Sequence, residues 1–320
     1  MVATPPGSGN EAQATTVLAD APVPESVRSA LEQVYSALDS ADLFYGHGTD
    51  NAWDESVLLV LSACELPFDA AEEQLDTPMA PDAWDRALAW LRQRVEQRTP
   101  LPYLLGRAWF AGLELRCDRR ALIPRSPLAE LIQNDYRPWW PGEAPQRFLD
   151  LCAGGGSIGI AAAVYQPAAE VLLADIDPEA LALARENIAL YDLGSRVQTR
   201  ESDLFEGLAG ERFDIILCNP PYVDAGDLAS MPAEYHSEPP RGLGSGEDGL
   251  DLARQILAGA AAHLTPGGLL FLELGNSWLA LDELLSALPL TWLEFSEGGH
   301  GVLVAGVSDL AEIQRCLAAL

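Results

Sequence analysis

From Arg147 onward the sequence alternates between short apolar runs and helix-forming stretches, and this alternation constrains the fold more than any other feature. RFLDLCA is followed by a helix from Ser157, VLLADID by a helix over Pro178 to Leu190, and then come RVQTRESD, FDIILCNPPY and LLFLELG. The apolar runs are continuous, whereas a half-solvated strand would alternate polar with apolar. They therefore predict an α/β fold with a mostly parallel sheet covered on both faces. The closing segments TWLEFSE and HGVLVAGV read as an antiparallel pair at one edge of that sheet.

Ahead of this region the grammar is different. Residues 1–22 are small, polar and rich in Pro and Gly without periodicity, and the expectation is a disordered tail. Val27, Leu31, Val34, Tyr35 and Leu38 then fall at helical spacing, and a second helix carries Val57, Leu58 and Leu61. A third runs from Pro81, at the first helical position, through Trp84, Leu88, Leu91 and Val95. These segments predict a small helical domain over 23–98. Residues 99–127, with Gly106 and Gly112 as turn points, read as a β-hairpin linker, which leaves 128–320 for the sheet domain.

Composition narrows the possible partners. The 320 residues include 19 basic and 48 acidic side chains, a net charge of −29. That sign opposes binding nucleic acid through its phosphates and suits a basic protein, although a solvated surface adapted to salt would look the same. The five cysteines are scattered without a C-x-x-C pair, so no metal site is expected and the thiols read as reduced. No run approaches the roughly 18 apolar residues of a membrane span, so a cytoplasmic protein is expected.

The first strand leads into Asp150-Leu-Cys-Ala-Gly154-Gly155-Gly156-Ser-Ile-Gly159, where the chain turns into a helix. Glycines there let the backbone approach a ligand closely. Asp175 lies 21 residues after Gly154, at the end of the second strand, where a ribose would be gripped. That spacing fits NAD as well as S-adenosylmethionine. Asp150 favours the latter, because a carboxylate can hold a ligand ammonium and would repel a pyrophosphate. Asp203, after the third strand, is placed either to accept from an adenine amino group or to cap a helix.

A second ligand element, Asn219-Pro220-Pro221-Tyr222, ends the fourth strand. In open α/β sheets ligands sit outside the carboxyl ends of strands, so this tetrapeptide should face the glycine loop. The Asn219 side-chain oxygen and the Pro220 carbonyl can each accept an N–H from a planar nitrogen, and Tyr222 offers a flat face to it. Asn219, Pro220 and Tyr222 are the expected catalytic group, and with Pro221 they form the expected substrate site. No general base is evident among them.

Taken together, the glycine loop, Asp175, Asp203 and NPPY behind a helical domain resemble the protein-glutamine N5-methyltransferases over roughly residues 25–310. The resemblance implies a Rossmann-like class I methyltransferase fold with a seven-stranded sheet and S-adenosyl-L-methionine as cofactor. It places cofactor contacts on Asp150, the loop Cys152, Ala153, Gly154, Gly155 and Gly156, then Asp175 with Ile176, and Asp203 with Leu204. The segments Tyr45–Glu55, Ala108–Gly112, Pro124–Pro127, Gly246–Leu250 and Glu273–Ser277 are similar to the branch that methylates large ribosomal subunit protein L-three. That branch implies the ribosomal protein as partner and a substrate-recognition role for the helical domain; charge and hydropathy lead to the expectation of neither nucleic-acid specificity nor membrane attachment. Oligomeric state stays open between monomer and dimer. Pro124-Arg-Ser-Pro127 departs from the P-R-P-x-T-E of release-factor enzymes, and Cys152 stands where many methyltransferases have glycine. A release-factor enzyme, a DNA adenine-N6 methyltransferase, a silent ribosome-assembly protein and an NAD-dependent oxidoreductase are the alternatives. His47 and Trp53 fit a docking surface or a loop and a core position equally.

Overall fold

A computed structural model describes residues 21–319, so the tail expected at 1–22 lies outside the described residues except for its last two positions. Ala21 is not loose there, because its carbonyl accepts the Trp84 indole N–H at 3.2 Å. Two compact units are present. One runs through Arg107 and also includes Pro232–Ser237, and the other comprises Ala108–Met231 and Glu238–Leu320.

The first unit is helical. Helix α1 (Val27–Asp39) starts at Ser26, whose hydroxyl accepts the Ser29 N–H while Ser29 returns the contact, and its buried face follows the expected periodicity. Helix α2 (Ala52–Ala63) is capped by Asn51 and buried on nearly every side. The short α3 (Glu72–Leu75) leads to α4 (Pro81–Glu96), which has Pro81 at its first position, and α5 (Leu101–Leu105) ends at Gly106. Arg94 of α4 is buried, with its guanidinium donating to Glu55 at 2.5 Å, to Glu234 at 3.0 Å and to the Phe44 carbonyl at 2.8 Å. The Phe44 N–H donates to Glu234 in turn, so the returning segment 232–237 is fixed by hydrogen-bonded charge at a buried site.

The linker expectation needs correcting. Residues 101–105 form a helix, and Gly106, at φ +69°, terminates it without turning a hairpin. The hairpin is confined to β1 (Arg107–Phe110) and β2 (Leu113–Arg116), with Ala111 and Gly112 at φ +48° and +78° as a tight hairpin turn demands. Residues 99–107 group with the helices and 108–127 with the sheet, so 99–127 is not one linker. Proline 102 at a helix start and the apolar packing of Leu101 and Pro102 account for the difference.

The second unit carries α6 (Leu128–Gln133), β3 (Arg147–Leu151), α7 (Ser157–Tyr165), β4 (Glu170–Asp175), α8 (Pro178–Leu190), β5 (Val197–Glu201), β6 (Phe213–Cys218), α9 (Ala225–Ser230), α10 (Asp251–Gly259), β7 (Leu264–Glu273), α11 (Trp278–Leu284), β8 (Thr291–Trp292), β9 (Val302–Gly306) and α12 (Val307–Leu317). Its seven-stranded sheet has the order β5-β4-β3-β6-β7-β9-β8. The first five are parallel, and β9 runs antiparallel to both β7 and β8. Alternate residues feed opposite layers: Phe148, Val171, Leu173, Ile215 and Leu217 pack with α6 and α7, while Leu149, Leu151, Leu172, Ile216 and Cys218 pack with α10 and α12. The chain leaves β3 toward β4 and β5 and then returns to β6 on the other side. That reversal opens a crevice at the carboxyl ends of β3 and β6, where an α/β sheet takes its ligand. Among the described residues, no helix is long and apolar enough to cross a membrane.

Candidate active site

The glycine loop is built between β3 and α7. Cys152, Gly154 and Gly156 all adopt positive φ, at +62°, +53° and +83°. Cys152 thus occupies a backbone conformation that glycine takes more easily. The Ala153 N–H donates to the Ala174 carbonyl at 3.0 Å and the Gly154 N–H to Asp175 Oδ2 at 2.7 Å. A Cβ on Gly159 would lie 2.1 Å from Leu173 Cδ2, so only glycine lets α7 pack this close to the sheet. Asn187 of α8, buried, donates to the Gly155 carbonyl at 3.0 Å and braces the loop from behind.

Asp150 lies beneath this loop, 1% exposed. Its Oδ2 accepts the Gly159 N–H at 2.8 Å, whereas Oδ1 has no partner among the described residues. Burial pushes its carboxyl up to about 7, with the Gly159 hydrogen bond opposing and the Asp175 charge adding to the rise. Asp175, at the end of β4, has both oxygens engaged by backbone, Oδ1 accepting the Asp177 N–H at 2.9 Å, and burial raises its pKa as well. Ile176 beside it is 45% exposed, an apolar side chain open to a flat ligand. Asp203 is exposed, and the short helix after it has no side-chain cap, so its carboxylate does not serve as an N-cap. Leu204 follows at φ +45°, its carbonyl held by the Ser202 hydroxyl at 2.7 Å. These residues fit S-adenosylmethionine: an orphaned buried carboxylate oxygen suits its ammonium, and a cradle with an apolar flank suits its nucleoside.

The tetrapeptide Asn219-Pro220-Pro221-Tyr222 follows β6, whose Cys218 pairs with Leu151 of β3, so Asn219 emerges beside the glycine loop. Pro220 is buried and Asn219, Pro221 and Tyr222 are half-buried. Among the described residues the Asn219 side-chain amide has no hydrogen-bond partner, which leaves it available to a ligand. Tyr222 is held firmly. Its hydroxyl donates to Glu273 Oε1 at 3.1 Å, and its backbone carbonyl accepts the Ser277 hydroxyl at 2.6 Å.

Several residues of this region escaped the sequence reading. Glu273, the last residue of β7, also accepts the Ser126 hydroxyl at 2.5 Å; burial lifts its carboxyl to about 7 against the two hydroxyl donors and the Arg125 charge. Arg125 in turn donates to the buried Glu238 at 2.8 Å, and Ala121 lies against the glycine loop. Asn187, Glu273 and Glu238 lie far from the motifs in sequence, and the only signal was that Ser126 and Glu273 fell within family-like segments. His47 is buried with its ring 4.6 Å from that of Tyr235, so it is a packed side chain in this structure. Trp53 packs edge-on to Tyr35 at 5.4 Å. Cys218 is buried with its thiol against that of Cys152, and burial raises its pKa strongly. Among the described residues no cluster of potential metal ligands occurs.

Comparison with known proteins agrees with this geometry. The family model described as "Methyltransferase small domain" matches residues 138–234. The ribosomal protein uL3 glutamine methyltransferase of Francisella tularensis is 42% identical over 288 residues, covering 90% of this chain and 92% of its own. Its counterpart from Xanthomonas campestris is 43% identical, covering 86% of this chain and 89% of its own. Among solved structures, the hMettl16 catalytic domain in complex with a MAT2A 3′UTR hairpin aligns with a TM-score of 0.50 at 17% identity, over 70% of this chain and 81% of that one, and shares the fold. With that identity sustained over nearly the whole length of both curated relatives, this chain belongs to the ribosomal protein uL3 glutamine methyltransferase family.

Proposed function

We propose that this protein transfers a methyl group from S-adenosyl-L-methionine to the side-chain amide nitrogen of one glutamine in ribosomal protein uL3. The S–C bond breaks as the N–C bond forms, S-adenosyl-L-homocysteine is released, and one amide proton leaves to solvent. The observation that carries the reading is the unpartnered Asn219 amide beside the glycine loop, in a chain whose curated relatives bear that activity in their names.

When bound, the cofactor supplies an electrophilic methyl on a sulfonium. Asp150 would hold its ammonium, Asp175 its ribose hydroxyls and Asp203 its adenine, with Ile176 and Leu204 as apolar neighbours. Asn219 Oδ1 and the Pro220 carbonyl each accept one N–H of the glutamine amide, whose delocalised lone pair makes it a weak nucleophile. Fixing both hydrogens turns the nitrogen toward the methyl, and the plane of Tyr222 limits rotation of the amide. Rate enhancement then comes mostly from proximity and alignment. The acid excess of the chain attracts a basic ribosomal protein, with association slowing as salt screens it.

A competition assay tests this reading. Purified protein, labelled cofactor, uL3, a release factor and duplex DNA are combined at low and high salt, and products are mapped by mass spectrometry. One methylated uL3 glutamine, with labelling that declines at high salt, is the expected result. Comparable labelling of the release factor would overturn the substrate choice, and methylation of DNA adenine would overturn the acceptor class.

A further inference from the structure

We propose that Glu273 is a positioning residue for methyl transfer, anchoring the Tyr222 ring as a fixed plane beside the acceptor amide. The proposal rests on the glutamine methyltransferase reading above and adds a residue to it.

Tyr222 is held from three directions by the short segment that closes β7. Glu273 Oε1 takes its hydroxyl at 3.1 Å, and Ser277 donates to its backbone carbonyl at 2.6 Å. Gly275 makes room for its ring, since a Cβ there would lie 2.4 Å from Tyr222 Cε2. A phenol on the loop after β6 would otherwise be free to swing about χ1 and χ2. Tied at the hydroxyl, it keeps one orientation, which is what a site working by alignment needs from its supporting residues.

Glu273 is itself fixed. It is 4% exposed, and its second oxygen accepts the Ser126 hydroxyl at 2.5 Å, from the turn before α6. The charged and titratable groups around it are Arg125 beside that turn, Tyr222 on the acceptor loop and Cys218 at the end of β6. Arg125 is committed to Glu238 at 2.8 Å, so it does not form a direct ion pair with Glu273 in place of the hydroxyls. Only the carboxylate form can accept from both hydroxyls at once; the neutral acid must donate with one oxygen, and one hydroxyl then loses its acceptor. Because burial lifts this carboxyl to about 7, the hydrogen-bond network that holds the Tyr222 hydroxyl rearranges as pH rises through neutrality.

The test places 3-fluorotyrosine at position 222 of the full-length protein and follows its fluorine resonance between about pH 5 and pH 8. In the wild-type background the resonance should titrate near neutrality, and in Glu273→Gln that titration should vanish. In the transfer assay Glu273→Gln should lower kcat roughly ten- to a hundredfold and lose the acidic limb of the pH profile, with cofactor affinity retained. Tyr222→Phe leaves the ring but removes the hydroxyl, so adding it to Glu273→Gln should cost little more than either change alone. A fluorine resonance that ignores pH, or additive effects of the two substitutions, would overturn the anchor. Failure of the wild-type protein to label uL3 would instead sink the functional reading and leave the fluorine titration standing.

Discussion

The carboxylate of Asp175 accepts the backbone N–H of Gly154 across 2.7 Å, so the acid ending β4 also shapes the glycine loop that follows β3. Asp175→Ala therefore removes a brace of that loop and, on the proposed reading, a ligand contact. Cofactor affinity should fall by about 1.5–3 kcal/mol, the range for hydrogen bonds to a charged acceptor. Calorimetry with S-adenosylhomocysteine measures this, and unchanged affinity would remove Asp175 from the site.

Asn219→Ala should separate binding from chemistry. Its amide has no protein partner to lose, so the fold and the cofactor affinity should be preserved while turnover drops on the order of a hundredfold. Parallel loss of cofactor binding would make Asn219 a structural residue.

Stability should depend on pH through two buried acids. Asp150 and Glu273 both have carboxyls raised to about 7, whereas in the unfolded chain they titrate near 4. Between those values the native state binds more protons than the unfolded one. The stability these groups contribute is thus fully present below about pH 4 and is lost as pH rises through about 7. Asp150→Asn should flatten its share of that slope, a change on the order of a few kcal/mol across the window, read as Tm against pH. Identical slopes in mutant and wild type would show that Asp150 is not held protonated.

Arg94→Met would leave Glu55 buried without its guanidinium and Glu234 with only the half-buried Arg98, 3.5 Å away. Breaking such a pair from one side costs about 3–5 kcal/mol, which urea unfolding would report. Adding Glu55→Gln and Glu234→Gln should restore much of the loss, since the penalty comes from uncompensated charge. If the triple substitution melts no higher than Arg94→Met alone, packing outweighs electrostatics at this position.

These expectations divide along a line visible in the sequence. The order of strands in 147–306, the helices from Ser157 and Pro178, the glycine loop with Asp175 and the NPPY segment were legible, because each rests on local periodicity or on residues adjacent in the chain. The helices at 225–230, 251–259 and 278–284 were not. Even the helix start at Pro81 is a local signal, a fixed φ and a missing donor where none is needed. Where local signals compete, the reading failed: residues 101–105 looked like one arm of a hairpin and fold as a helix.

By itself, then, the sequence determined the parallel sheet and the two loops at the carboxyl ends of its first and fourth strands, since a buried strand and a glycine turn carry their own steric and hydrophobic instructions. Only the tertiary structure decided which distant residues support them. Ser126 meets Glu273 across 147 positions, and Arg94 meets Glu234 across 140. It also decided that 232–237 returns to the helical unit, so that no cut in the chain separates the two units cleanly. Such pairings follow from strand order and register, which are settled when non-local surfaces pack together. No window of neighbouring residues encodes them.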